Sequence, residues 1–177
     1  NFNNLNSKIL KEIPKEFDNY ETILGAPFFV DQFKPMKFIK NGFKIFIKNP
    51  FLFFNKRKRN INFHFNLMHG ENNLNNAIDL LDAKNQNDFR NYVNTEVSFN
   101  PHNMFICKSK HKLKSYYEDL FPWLEKCEKL FDFENLKGFG KIRIYGFLAE
   151  RFMSYWFRKN CTYKAMPIIF YDIKKDF

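Results

Sequence analysis

Apolar residues in this chain recur in two alternating spacings, and that alternation constrains the fold more than any single motif does. Short runs at 20–24, 103–107 and 165–171 are bounded by turn formers or charge and read as strands, the second of them buried, and Gly25, Ala26 and Pro27 break the first. Between the runs, apolar residues return every three or four positions. Leu74, Ala77, Ile78 and Leu81 form one helical stripe, and Phe89, Tyr92 and Val93, extending to Val97, form another. A third carries Leu113, Tyr116, Tyr117, Leu120, Leu124, Cys127 and Leu130, and is expected to bend or restart at Pro122. A loop at Gly138 and Gly140 should lead into a last helix over 147–157, and a short helix with Leu5, Ile9, Leu10 and Ile13 should end at Pro14. Helices alternating with short strands predict an α/β or α+β domain, and with no repeat or low-complexity linker one domain is expected over 1–177.

A chain of 177 residues can bury about two thirds of its unfolded surface. With 45% hydrophobic and 20% aromatic residues there is ample apolar area to do so, which excludes a wholly disordered chain. Phe, Ile, Asn and Lys are also the residues that an A+T-biased coding sequence supplies, so the Phe and Asn excess needs no mechanistic cause. No uncharged apolar stretch approaches the ~18 residues of a membrane-spanning helix, and the polar start lacks the features of a signal peptide. A cytoplasmic chain is the expectation. Cys107, Cys127 and Cys161 are odd in number and far apart, without a Cys-x-x-Cys pair, which argues against a disulfide framework or structural zinc and for buried thiols.

The net charge of +10 calls for an anionic partner, and it has an address. Lys34, Lys37, Lys40, Lys44, Lys48, Lys56, Arg57, Lys58 and Arg59 occur with no Asp or Glu among them. Over 35–49 the lysines fall three and four apart beside Met36, Ile39, Phe43, Phe46 and Ile47, the pattern of a basic amphipathic helix stopped by Pro50. Two readings stay open. Lys37, Lys40, Lys44, Lys48, Arg57 and Arg59 can face an anionic membrane at its inner surface, or the helix can dock on its own core with its lysines solvated. Nucleic-acid binding has only the net charge in its favour, with no zinc-finger, RRM or KH signature.

Three ordered segments carry more information. They are Phe65-Asn66-Leu67-Met68-His69-Gly70 leading into Leu74; His102-Asn103-Met104-Phe105-Ile106-Cys107-Lys108 leading through Tyr116 to Leu120-Phe121-Pro122-Trp123-Leu124; and Arg143-Ile144-Tyr145-Gly146-Phe147-Leu148-Ala149-Glu150-Arg151-Phe152. Together they resemble the C-terminal half of a bacterial family of capsular-polysaccharide glycosyltransferases long catalogued as a domain of unknown function. The resemblance spans roughly residues 8 to 172, and its last motif is the most specific. It implies the acceptor-side half of a GT-A-like domain, a nucleotide-sugar donor, a glycan acceptor, and a divalent cation, manganese or magnesium, helping to hold the diphosphate.

Carried over residue by residue, the resemblance makes Glu150 the candidate catalytic base, a carboxylate near a helix start that takes a proton from the acceptor hydroxyl. Arg143 and Arg151 are candidates for orienting it or meeting phosphate oxygens, and His69 and Asn103 for holding sugar hydroxyls. Two departures stand against a complete enzyme. The family's nucleotide-binding N-terminal half has no counterpart here, so a preceding segment or partner chain would supply it. No Asp-x-Asp metal motif is present, Asp132-Phe133-Glu134 being a loose imitation, and no metal ligand is assigned. The other readings are that Glu150 merely pairs with Arg143 or Arg151 to lock a helix to the sheet, and that the chain is a non-catalytic membrane- or polysaccharide-binding domain.

Overall fold

The computed structural model describes residues 15–32, 55, 58–131 and 137–168. The expected helix over 5–13, the basic residues Lys37, Lys40, Lys44, Lys48 and Arg57, and Asp132-Phe133-Glu134 lie outside these residues. After a 3-10 turn at Lys15–Asn19, strand β1 (Thr22–Gly25) enters the core with all of its residues buried. It is the middle of three strands, antiparallel to β4 (Phe105–Cys107) and parallel to β5 (Tyr163–Met166). A separate ribbon pairs β2 (Phe28–Phe29) antiparallel with β3 (Ser98–Phe99). Around these strands pack helices α1 (Ile61–His69), α2 (Asn73–Ile78), α3 (Ala83–Thr95), α4 (Lys110–Phe131), α5 (Phe139–Ile142) and α6 (Ile144–Asn160). The mixed α/β architecture expected from the spacing is the one observed.

Helix α6 is the axis of the core. Its residues 151–157 are buried without interruption, which is how a helix surrounded on all sides behaves. Against it lie Tyr116, Leu120, Trp123 and Cys127 of α4 and Phe89 and Val93 of α3. Phe89 meets both Trp123 and Phe152 edge-on, with ring centroids 5.9 and 5.5 Å apart, and Phe105 of β4 reaches Phe157 at 4.6 Å. Each such ring contributes about 2–3 kcal/mol through burial. A polar tip in this layer is satisfied, since Trp123 Nε1 donates to the Ala77 carbonyl at 2.6 Å.

Several local expectations need correction. Helix α4 does not restart at Pro122 but runs on through it, that residue sitting on the exposed face; Tyr117 and Leu130 are exposed rather than part of the buried stripe. Strand β4 is half-exposed, not buried: it is an edge strand, and Met104 and Ile106 face out at about half their full exposure. The last strand begins earlier, at Tyr163, because it must register with Thr22 of β1. Cys127 and Cys161 are buried thiols, whereas Cys107, on the edge strand, is half-buried. Helix α1 was hidden by its polar residues. Asn60 caps it, its side chain accepting the Phe63 N–H, and Ile61, Phe65 and His69 fill its buried positions.

One polar residue ties the layers together. The buried Asn100 amide donates to the Gly25 carbonyl at the end of β1, while its Oδ1 accepts from Arg158 Nε and Nη2 at 3.2 and 3.1 Å. Its backbone exchanges two bonds with Ser154, the Asn100 N–H donating to Ser154 Oγ and that hydroxyl donating to the Asn100 carbonyl. Asn100→Ala strands the Gly25 carbonyl and the Arg158 guanidinium in or near the core. The cost should be on the order of 3 kcal/mol in urea unfolding; a loss below roughly 1 kcal/mol would mean that water replaces the amide.

Candidate functional site

The first half of α6 organises the site through a register of four. Gly146, Glu150, Ser154 and Arg158 fall on one stripe of the helix, and residues 100–103 run antiparallel along it. Asn103 Nδ2 donates to the Gly146 carbonyl at 3.1 Å, the His102 N–H donates to Glu150 Oε1 at 3.0 Å, and Asn100 meets Ser154 and Arg158. At the turn both His102 (φ 73°) and Asn103 (φ 51°) are left-handed. That conformation costs a non-glycine residue about 1–2 kcal/mol, less for Asn, so two in succession persist only because the contacts to α6 hold them.

Beneath this turn lies a buried charge. Arg151 is almost fully enclosed, its Nη1 donating to Glu150 Oε2 at 2.7 Å and to the Phe147 carbonyl at 3.1 Å. Its guanidinium carbon stands 4.0 Å from the centre of the Phe99 ring, 5.3 Å from Phe65 and 5.8 Å from Phe147, a cage of π-faces that partly replaces water. Nη2 lies 3.5 Å from His64 Nδ1, while Nε has no hydrogen-bond partner. Burial lowers the Arg151 pKa to about 10, opposed by the Glu150 charge, and the group remains a cation at neutral pH.

The five residues singled out from sequence therefore converge on two turns of α6, but at two depths. Asn103 and Arg143 are exposed, and Arg143 lies 5.6 Å from the Phe147 ring. Glu150 stands at the rim, 13% exposed and bonded on both oxygens, in the second turn of the helix rather than at its start. His69 and Arg151 are below. The His69 ring is buried and stacks on Phe147 at 4.0 Å, and its Nδ1 lies 3.0 Å from the Gly140 carbonyl. Gly140 is required there, since a Cβ would collide with the Met68 carbonyl. Arg59, expected among the cations facing a membrane, is buried just before the Asn60 cap of α1.

Two features escaped the sequence reading. Phe147 is the hub that His69, Arg143 and Arg151 all touch, yet one Phe among 25 gives no signal. Asn100 and Ser154 likewise look like ordinary polar residues, although a Ser in a stripe of aromatics was a usable hint. A divalent cation does not fit the described residues. Among them no three of His, Cys, Asp and Glu gather into a ligand set.

Fold and site together define a mixed α/β domain whose central helix presents a carboxylate and an asparagine turn at one rim. This chain belongs to the family described as a domain of unknown function, DUF4422, whose model matches residues 34–161 and contains all three motifs. No curated protein and no solved structure matches it. No helix among the described residues is long and apolar enough to cross a membrane.

The buried imidazole sets a pH dependence. Burial first, and then the Arg151 charge, lowers the His69 pKa from 6.5 to about 4, against the raising effect of the Gly140 bond. Below pH 6.5 the unfolded chain binds a proton that the folded chain refuses, so this stability is full above 6.5 and is lost toward pH 4. Between pH 7 and 5 the loss should reach about 2 kcal/mol. His69→Gln should unfold in urea without that component, so the gap between parent and variant narrows as pH falls. A gap independent of pH would show that native His69 takes up its proton over the same range as the unfolded chain.

Proposed function

We propose that this chain is the acceptor-side part of a glycosyltransferase that moves a sugar from a nucleotide-sugar donor to a capsular or surface polysaccharide. The observation that carries this reading is the Glu150 rim, where a carboxylate anchored on buried Arg151 shares one ledge with the exposed Asn103 turn. A base in such a reaction must be held rigidly and still have a lone pair to offer. An ionised carboxylate has about four acceptor sites, and the Arg151 and His102 bonds use two. An acceptor hydroxyl docks on a remaining one and transfers its proton there as it attacks the anomeric carbon. Asn103 Oδ1 accepts from a neighbouring sugar hydroxyl, and Arg143, at the N-terminus of α6, meets the negative charge that develops on the departing diphosphate. The GT-A-like fold, the inner membrane face and a nucleotide-binding segment elsewhere belong to the same proposal.

Transfer and donor hydrolysis by the full-length protein, measured over a panel of nucleotide sugars, test this. Glu150→Gln should lower kcat by about 10²–10⁴-fold, and Glu150→Asp, which keeps the charge, should fall less. Equal turnover in parent and Gln variant, with both folded, would remove Glu150 from the chemistry.

Gly146 gives a second, opposite-signed test. It is the third residue of α6, in the first turn, where Gly is still a poorer helix former than Ala by up to about 1 kcal/mol, and a Cβ there would meet nothing within 4 Å. Packing therefore does not require it. Gly146→Ala should raise thermal stability by up to about 1 kcal/mol while weakening acceptor binding several-fold, because the methyl intrudes on the ledge. A variant that is both stabler and unchanged in acceptor KM would show that no ligand lies over this turn.

A further inference from the structure

Further along α6 the same polar stripe reaches a second concavity. Arg158 lies eight residues beyond Glu150, roughly 12 Å along the helix axis. Here a groove of about 470 Å³ opens between α3, the end of α6 and the edge strand β5, within the size range of small-ligand sites. Tyr163, 37% exposed, and half-buried Tyr92 contribute its accessible aromatic surface, with buried Tyr155 at its floor.

The charges in the groove decide what it can hold. Lys159 Nζ donates to Asp88 Oδ2 at 2.5 Å, and Arg158 stands 4.0 Å from Glu96, so each cation is already matched by a carboxylate. A phosphate or other anion would have to displace those carboxylates or face their repulsion. A neutral ligand meets no such barrier. The polar groups are also set in advance: Arg158 is fixed by Asn100 Oδ1 and lies 5.8 and 5.9 Å from the Tyr92 and Tyr163 rings, while Lys159 also reaches the Tyr155 hydroxyl at 3.1 Å. Little ordering is left for a ligand to impose. Apolar ring faces beside paired donors and acceptors match a pyranose, which has C–H faces and an equatorial rim of hydroxyls.

We infer that this groove binds a short segment of neutral glycan, at a site separate from the Glu150 ledge. It does not depend on Glu150 being a catalytic base. Amide correlation spectra of the full chain, titrated with maltohexaose, cellohexaose, chitohexaose and mannohexaose, with inorganic polyphosphate as the anionic counter-probe, test it. At least one neutral hexasaccharide should shift amides within 88–96 and 155–163 and saturate in the millimolar range. Asn91→Ala and Tyr163→Ala, both at the groove surface, should weaken that titration at least tenfold, and Glu150→Gln should leave it unchanged. Silence from all four hexasaccharides, tighter binding of polyphosphate at the same amides, or loss of the titration in Glu150→Gln would overturn the assignment.

Discussion

A strip of four polar contacts along α6 decides where everything else near the site must sit. With Gly146, Glu150, Ser154 and Arg158 spaced by one helical repeat, residues 100–103 can bond to the helix as a strand bonds to a strand, although neither partner is extended over that length. The segment leaves β3 and delivers the chain to β4, so fastening it fixes the β2–β3 ribbon and one edge of the three-stranded sheet against α6. Asn100 extends the fastening to β1 through the Gly25 carbonyl. Were these bonds made to water instead, the two left-handed residues would have no compensation for their strain, and the turn would relax away from Glu150.

The Arg151 guanidinium explains why the helix cannot slide beneath that strip. Taking a cation out of water costs several kcal/mol, and only a close carboxylate, a carbonyl and stacked rings offset it. Glu150, Phe147, Phe99 and Phe65 supply these from the helix itself, from β3 and from α1, so a shift of any of the three elements uncovers a charge. The ion pair and the catalytic candidate are thus not rival interpretations of Glu150. One oxygen neutralises the buried charge and the other pins the turn, and the same fixation that makes the group structural also makes its direction definite.

The elements with long, regular apolar spacing were legible in the sequence, and those whose core positions are polar were not. Helices α3, α4 and α6 follow from their stripes, as does β1 from a run closed by Gly25 and Pro27. Helix α1 is different, because His69 occupies a position where the periodicity asks for Leu or Phe, and Asn62, His64 and Asn66 dilute the rest. Hydropathy also cannot say which side of a three-residue strand is covered, and so β4 read as buried when it closes an edge. At the site, ordered motifs brought out residues that do converge. Their depth was hidden, because nothing in the string distinguishes an arginine that reaches solvent from one that ends among phenylalanines.

The chain's surplus charge and its candidate chemistry turn out to occupy different residues. Of 29 Lys and Arg, nine fall in 34–59 with no acid; the remaining 20 face 19 Asp and Glu elsewhere, which is close to neutrality. Ion pairs such as Lys159 with Asp88, Arg151 with Glu150 and Arg90 with Asp79 are the structural form of that balance. Net charge governs long-range association and says little about fold or local chemistry. Any attraction to a polyanion would therefore rest on one segment, and it would fade with salt over a Debye length of about 10 Å or less at 0.1 M and above. The short, largely buried contacts that set Glu150 are screened far less. Raising ionic strength consequently separates the two: the field of the basic segment is screened first, while the buried geometry along α6 stays as it is.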